Sequence, residues 1–153
     1  MQIDYLADHP DLVPLLAEWQ HRTFGHFAPQ TTLEQRVAKI SQTRRRSAIP
    51  MTVVALSEER PVGTACLVAE DMSTHPELSP WLASVYVEPD SRRQGLGSRL
   101  VARIETEAKK LGVERLYLYT ADMQPFYEPL GWSVKAVEDY RGYEVALMEK
   151  ALG

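Results

Sequence analysis

The sequence predicts a single α/β (α+β) domain, and two observations carry that prediction. Segments with apolar residues three or four apart alternate along the chain with β-branched, largely apolar runs, so helices and strands are mixed. The chain has 153 residues, enough to bury one core without disulfides or metal. No repeat, low-complexity tract or linker interrupts it, so residues 1–153 read as one domain.

Met1 to Leu6 reads as a short strand. From Asp8 or Pro10 to about Phe24, the residues Leu12, Leu15, Leu16, Trp19 and Phe24 fall at near-helical spacing and predict a first helix. A second is expected from Thr31-Thr32-Leu33-Glu34 to about Arg44, with threonine capping its start and Leu33, Val37 and Ile40 on one face. After Pro50, TVVALS and VGTACLVAE flank the turn-like Glu58-Glu59-Arg60-Pro61, as in an antiparallel hairpin. A further strand spans about Leu82 to Val87. Then the period changes: Leu96, Leu100, Ile104, Ala108 and Leu111 line one side of a helix that Gly112 ends as a left-handed cap, with lysines in its last turn. RLYLYTA is the next strand. A helical turn from Gln124 to Leu130 leads into WSVKAVEDY and YEVALMEKAL, split by Arg141-Gly142.

Composition excludes several functions. The chain is 44% hydrophobic and 25% charged, and no segment approaches the ~20 apolar residues that cross a bilayer. MQIDYLADHPDLVP carries acid where a secretory leader carries base, which points to a cytoplasmic protein with no membrane partner. A net charge of -4 argues against nucleic acid as a partner. Cys66, alone inside GTACLV, reads as a small core residue. The histidines at 9, 21, 26 and 75 lack ligand spacing, so no metal is expected. Arg44-Arg45-Arg46 either draws in an acidic partner or, more simply, satisfies a helix end.

One stretch departs from this background. SRRQGLGSRL, Ser91 to Leu100, holds three arginines and two glycines between a strand and a helix. A helix N-terminus has backbone N–H groups without partners and a partial positive charge, so it suits an anion. Gly95 and Gly97 let the backbone approach a phosphate closely, and Arg92, Arg93 or Arg99 add charge-assisted hydrogen bonds. Neither the dinucleotide fingerprint nor the P-loop pattern is present.

R-x-x-G-x-G, following Val85-Tyr86-Val87-Glu88-Pro89 after Asp90 and Ser91, resembles the acyl-coenzyme A pyrophosphate loop of the GNAT N-acetyltransferase superfamily. Phe126-Tyr127-Glu128-Pro129-Leu130-Gly131-Trp132 is similar to a second motif of the same family. The resemblance covers nearly the whole chain in element order and is most specific from Trp81 to Trp132. It implies a central mixed, mostly antiparallel sheet of roughly six or seven strands flanked by about four helices. The strand ending at Val87 and the one from Arg115 to Thr120 would splay, with pantetheine against backbone near Val85, Tyr86 and Val87. The pyrophosphate would meet Arg92, Arg93, Gln94, Gly95, Leu96, Gly97 and Ser98, with Thr120 and Tyr127 also facing the cofactor.

The resemblance further implies acetyl transfer from acetyl-CoA to a primary amine by direct attack, through a tetrahedral intermediate. Such a reaction needs a base for the amine, donors for the oxyanion and an acid for the departing thiolate. Tyr127 matches the acid, and the Val87 backbone N–H the oxyanion donor. Many relatives carry a glutamate base where this chain has Ser84, so Glu70, Asp71 or His75 would replace it, directly or through water ordered by Ser84 or Tyr86. Relatives often have asparagine at the Thr120 position. Trp81, Phe27 and Asp71 are the residues expected to meet the acceptor, the connection from Thr23 to Gln30 facing it. The acceptor stays open among small amines and protein N-termini, and the chain would be a monomer or homodimer. The rival reading is a catalytically silent acyl-CoA-binding or protein-interaction module.

Overall fold

The computed structural model describes residues 1–153. Seven strands form one sheet: β1 (Gln2–Tyr5), β2 (Met51–Ser57), β3 (Arg60–Val68), β4 (Trp81–Val87), β5 (Arg115–Thr120), β6 (Ser133–Tyr140) and β7 (Tyr143–Ala151). Their spatial order is β1-β2-β3-β4-β5-β7-β6, antiparallel except where β4 meets β5. Four helices accompany them: α1 (Val13–Phe24), α2 (Leu33–Ser41), α3 (Leu96–Lys110) and the short α4 (Gln124–Tyr127). No helix is long and apolar enough to cross a membrane.

Two helix boundaries differ from expectation, each for a local reason. Residues 6–12 form two 3₁₀ turns instead of extending α1. Pro14 cannot donate to the carbonyl of Pro10, so regular helix begins at Val13 with proline in its first turn. Thr32 caps α2 in a reciprocal box with Gln35. The helix stops at Ser41, short of Arg44. There the Ser41, Thr43 and Arg44 side chains donate to the carbonyls of Val37, Ile40 and Ser41. Arg45 likewise donates to the Ile49 carbonyl and Arg46 pairs with Asp8, so the three arginines serve local structure.

Strand alternation divides the sheet between two layers. Met51, Val53 and Ala55 pack with Leu96, Leu100, Ile104 and Ala108 of α3, whereas Val54 and Leu56 pack with Leu16, Trp19 and Ile40 under α1 and α2. β5 does the same: Leu116 and Leu118 join the α3 core, and Tyr117 and Tyr119 pack against a third cluster with Phe27, Trp81 and Tyr140. Gly112 has φ 82, as a left-handed cap requires.

α3 is fastened to the far edge of the sheet by one buried carboxylate. The Tyr5 hydroxyl donates to Glu107 at 2.8 Å, Arg103 Nε donates at 2.9 Å, and Lys110 lies 3.7 Å away. Burial opposes the charge on Glu107, but Arg103, Tyr5 and Lys110 outweigh it and hold the carboxyl below its ordinary range. This contribution is present at neutral pH and is lost as pH falls through the depressed value. Glu107→Ala is expected to cost about 2 kcal/mol in urea unfolding at pH 7, and less under acid conditions.

β4 and β5 share a single partner pair, Trp81 with Tyr117, and then diverge. The cause lies within β4. Cys66 pairs with Ala83 and Thr64 with Tyr86, so β4 spends one residue more than β3 over that interval. Ser84 takes up the excess with φ 56, the left-handed region that ordinary residues enter at about 1 kcal/mol. The bulge bends β4 away from β5, and the sheet opens into a V.

Candidate active site

A cavity of about 500 Å³ fills the opening of the V. Leu82 to Val85 of β4, Leu118 to Thr120 of β5 and Tyr127 of α4 line one part of it. Glu70 and Asp71 after β3, Phe27 after α1, Arg36 and Lys39 of α2, and Arg141 of the β6–β7 turn line the remainder. The fold thus brings Tyr127, Ser84, Glu70, Asp71, Phe27, Val85 and Thr120 into one cavity. Phe27 contributes an aromatic wall, with its ring 5.4 Å from that of Tyr119.

Trp81 is a correction. It is fully buried, its Nε1 donates to the Leu78 carbonyl at 2.8 Å, and it packs on Tyr117. It sits where β4 and β5 are still joined, so it holds the apex of the V and does not line the cavity. His75 is displaced as well: its two ring nitrogens meet Glu77 and Glu138, which fastens the segment before β4 to β6. Tyr86 and Leu96 bury their side chains in the core, leaving only backbone to offer a cofactor.

At the glycine loop, α3 begins at Leu96 with Gly95 as its N-cap. Gly95 has φ 77, and no side chain caps this helix end. The first-turn N–H groups therefore lack a side-chain acceptor, as an anion site needs. Gly97 permits a close approach: a Cβ there would come within 3.2 Å of the Phe126 ring, the residue that precedes Tyr127. Arg93, Gln94 and Arg99 are exposed around the loop and Ser98 is half-buried. Arg92 is turned back onto β4, its Nε donating to the Val87 carbonyl at 2.8 Å and its guanidinium lying over the Tyr86 ring. Thr120 Oγ1 accepts the Met123 N–H at 2.9 Å, so its side chain shapes the turn into α4.

The electrostatics single out two groups. Burial pushes the Asp71 carboxyl up to about 7, against the opposing charge of Lys39. Burial alone pushes the Tyr127 hydroxyl up to about 12. Burial also raises Tyr119, with Asp71 acting in the same direction and Arg141 and Arg36 against it. Cys66 lines the cavity too, but burial raises its thiol to about 11 and leaves it an inert packing residue. The sequence left Arg36, Lys39, Tyr119 and Arg141 unmarked. Only the Arg141-Gly142 turn was visible, and nothing in it indicated that the β6–β7 hairpin would deliver its arginine to the cavity.

Known proteins share this architecture. An aminoglycoside 6'-N-acetyltransferase complexed with coenzyme A is 18% identical, with a TM-score of 0.77 over 100% of this chain and 98% of that one. The aminoglycoside 6'-N-acetyltransferase from Enterococcus faecium is 20% identical, with a TM-score of 0.77 over the same shares, 100% and 98%. A ribosomal-protein-alanine N-acetyltransferase from Brucella melitensis is 21% identical, with a TM-score of 0.73 over 99% of both chains. At these identities the likeness establishes the fold. No curated protein sequence matches significantly. The profile of the acetyltransferase (GNAT) family matches residues 13–132, from the start of α1 through the glycine loop to the tyrosine motif. On that match, and on a sheet opened by a bulged β4 beside an uncapped α3, the chain belongs to the acetyltransferase (GNAT) family.

Proposed function

We propose that the chain transfers an acetyl group from acetyl-CoA to a primary amine, by direct attack within a ternary complex. One observation carries this reading: a carboxyl poised near neutrality and a hydroxyl kept protonated share the cavity opened by the β4 bulge. The residues present suit the donor. Gly95 and the uncapped start of α3 offer N–H groups for a pyrophosphate, Arg93 and Arg99 supply charge nearby, and the separation of β4 from β5 leaves backbone of Val85 to Val87 for a pantetheine arm. When bound, acetyl-CoA supplies an activated thioester acyl group.

The protein's own part is proton management. An amine is mostly protonated at neutral pH and must lose a proton before it attacks. Asp71 takes that proton, because a carboxyl near 7 is present in its basic form at working pH and still holds a proton usefully. Ser84, in its left-handed turn on the same cavity, and the exposed Glu70 are placed to order water between amine and base. Tyr127 stays protonated throughout the neutral range and donates to the departing sulfur. The Val87 backbone N–H is assigned to the developing oxyanion.

The test is release of free thiol from acetyl-CoA in the presence of an amine panel, with acetylated product identified by mass spectrometry. Amine-dependent thiol release is expected. CoA binding measured calorimetrically, with no thiol release on any amine, would overturn catalysis in favour of a silent acyl-CoA-binding module.

A further inference from the structure

We infer that the acceptor is a small amine that also carries a carboxylate, held by Arg36 and Arg141 while its amine faces Asp71. This inference rests on the acetyl-transfer reading and adds the class of substrate. Its basis is a pair of arginines on the cavity that no carboxylate of the chain engages. Some cations of the chain pair with carboxylates, as in Lys150 with Glu105 at 2.7 Å and Arg103 with Glu107 at 2.9 Å, while exposed ones such as Arg45 and Arg92 bind carbonyls.

The two cavity arginines are held by neutral acceptors instead. Arg36 Nε donates to His21 Nδ1 at 3.0 Å, and its Nη2 is buried beside Gly25 with no partner at all. Arg141 Nη1 donates to the Phe27 carbonyl at 2.8 Å, and its guanidinium lies over the Tyr140 ring. Neither forms a salt bridge with a carboxylate of the chain; Lys39 is a third cation on the cavity, and Glu70, Asp71 and Asp122 line it as well. A buried cationic N–H without an acceptor is costly, and a guanidinium suits a planar carboxylate.

Tyr119, Asp71, Arg36 and Arg141 line the same cavity, so base and cations share one space. An amine and a carboxylate on one small molecule would bridge them within a cavity of about 500 Å³. A cavity lined by Glu70, Asp71 and Asp122 together with Arg36, Lys39 and Arg141 matches a molecule that carries one charge of each sign, whereas a polycation would leave the three cations unanswered.

The experiment compares kcat/KM for the twenty amino acids, each against its own carboxamide, with kanamycin as a polycationic amine. At least one acid is expected to exceed its amide by about tenfold or more. Arg36→Ala should shrink that ratio toward one, and Arg36→Lys should restore part of it, with Tm measured to show that each variant is folded. Turnover that ignores the carboxylate, or that favours kanamycin, overturns the substrate class and leaves acetyl transfer standing. Absence of turnover on every amine by a protein that binds CoA overturns acetyl transfer, and this inference with it.

Discussion

Asp71→Asn is expected to lower kcat by about 10²-fold or more while making the folded protein more stable above neutral pH. The two effects share one cause. The Asp71 carboxyl titrates at about 7 in the folded chain and at its ordinary value of 3.8 when unfolded. The folded state therefore holds that proton more tightly, and stability is lost as pH rises from the lower value to the higher. Asparagine cannot ionise, so the variant escapes this loss and should show a higher Tm than the parent at pH 8. It also lacks the proposed base, so the rise in wild-type rate through about pH 7 should disappear from its pH profile. A variant that keeps the parental rate and profile would remove Asp71 from the mechanism, and the gain in Tm separates lost chemistry from lost folding.

Tyr127→Phe should lower kcat by about 10²-fold and leave the calorimetric affinity for CoA close to the parent's. The hydroxyl is raised by burial alone, with no charge or hydrogen bond contributing, so its removal leaves no protein group unpartnered. The ring itself packs against Phe126 and Trp132, and phenylalanine preserves those contacts. If the hydroxyl protonates the departing sulfur, the loss should be smaller for thioesters whose thiols are more acidic. An equal loss across a series of such donors, or no loss at all, would reduce Tyr127 to a packing residue.

Most of the fold was legible because the sequence obeys period rules closely. RLYLYT alternates leucine and tyrosine, and the structure sends the leucines to the α3 core and the tyrosines to the cluster of Phe27, Trp81 and Tyr140. The glycine loop was legible because its chemistry is local: backbone conformation and a helix terminus lie within ten residues. The boundaries of α1 and α2 were less so, since Pro14 and the side chains of Ser41, Thr43 and Arg44 decide them one hydrogen bond at a time. The acceptor side was scarcely legible at all. Asp71 was one of several acids in a polar stretch, and what distinguishes it is burial by elements distant in the chain. Arg36 and Arg141 lie 105 positions apart, and they share a cavity because the sheet order β5-β7-β6 carries the β6–β7 turn to it. Trp81 misled for the opposite reason: a large aromatic residue at a strand end reads as a pocket wall, whereas the apex of a splay needs a fully buried plug.

The extra residue in β4 acts as a phase shift as well as a bend. Along a regular strand Ala83 and Tyr86 would face opposite layers. Because β3 spends only two residues between Cys66 and Thr64, they face the same one, and Tyr86 reaches the α1 layer beside Trp19. Everything downstream inherits that reset, including Val87, the turn and the orientation from which α3 departs. The strand therefore has a parity that ordinary substitution does not touch but a single insertion or deletion reverses. Evolutionary drift can reshape this cavity by exchanging side chains, yet the length of β4 is quantised, and one residue either way would zip the sheet or invert its faces.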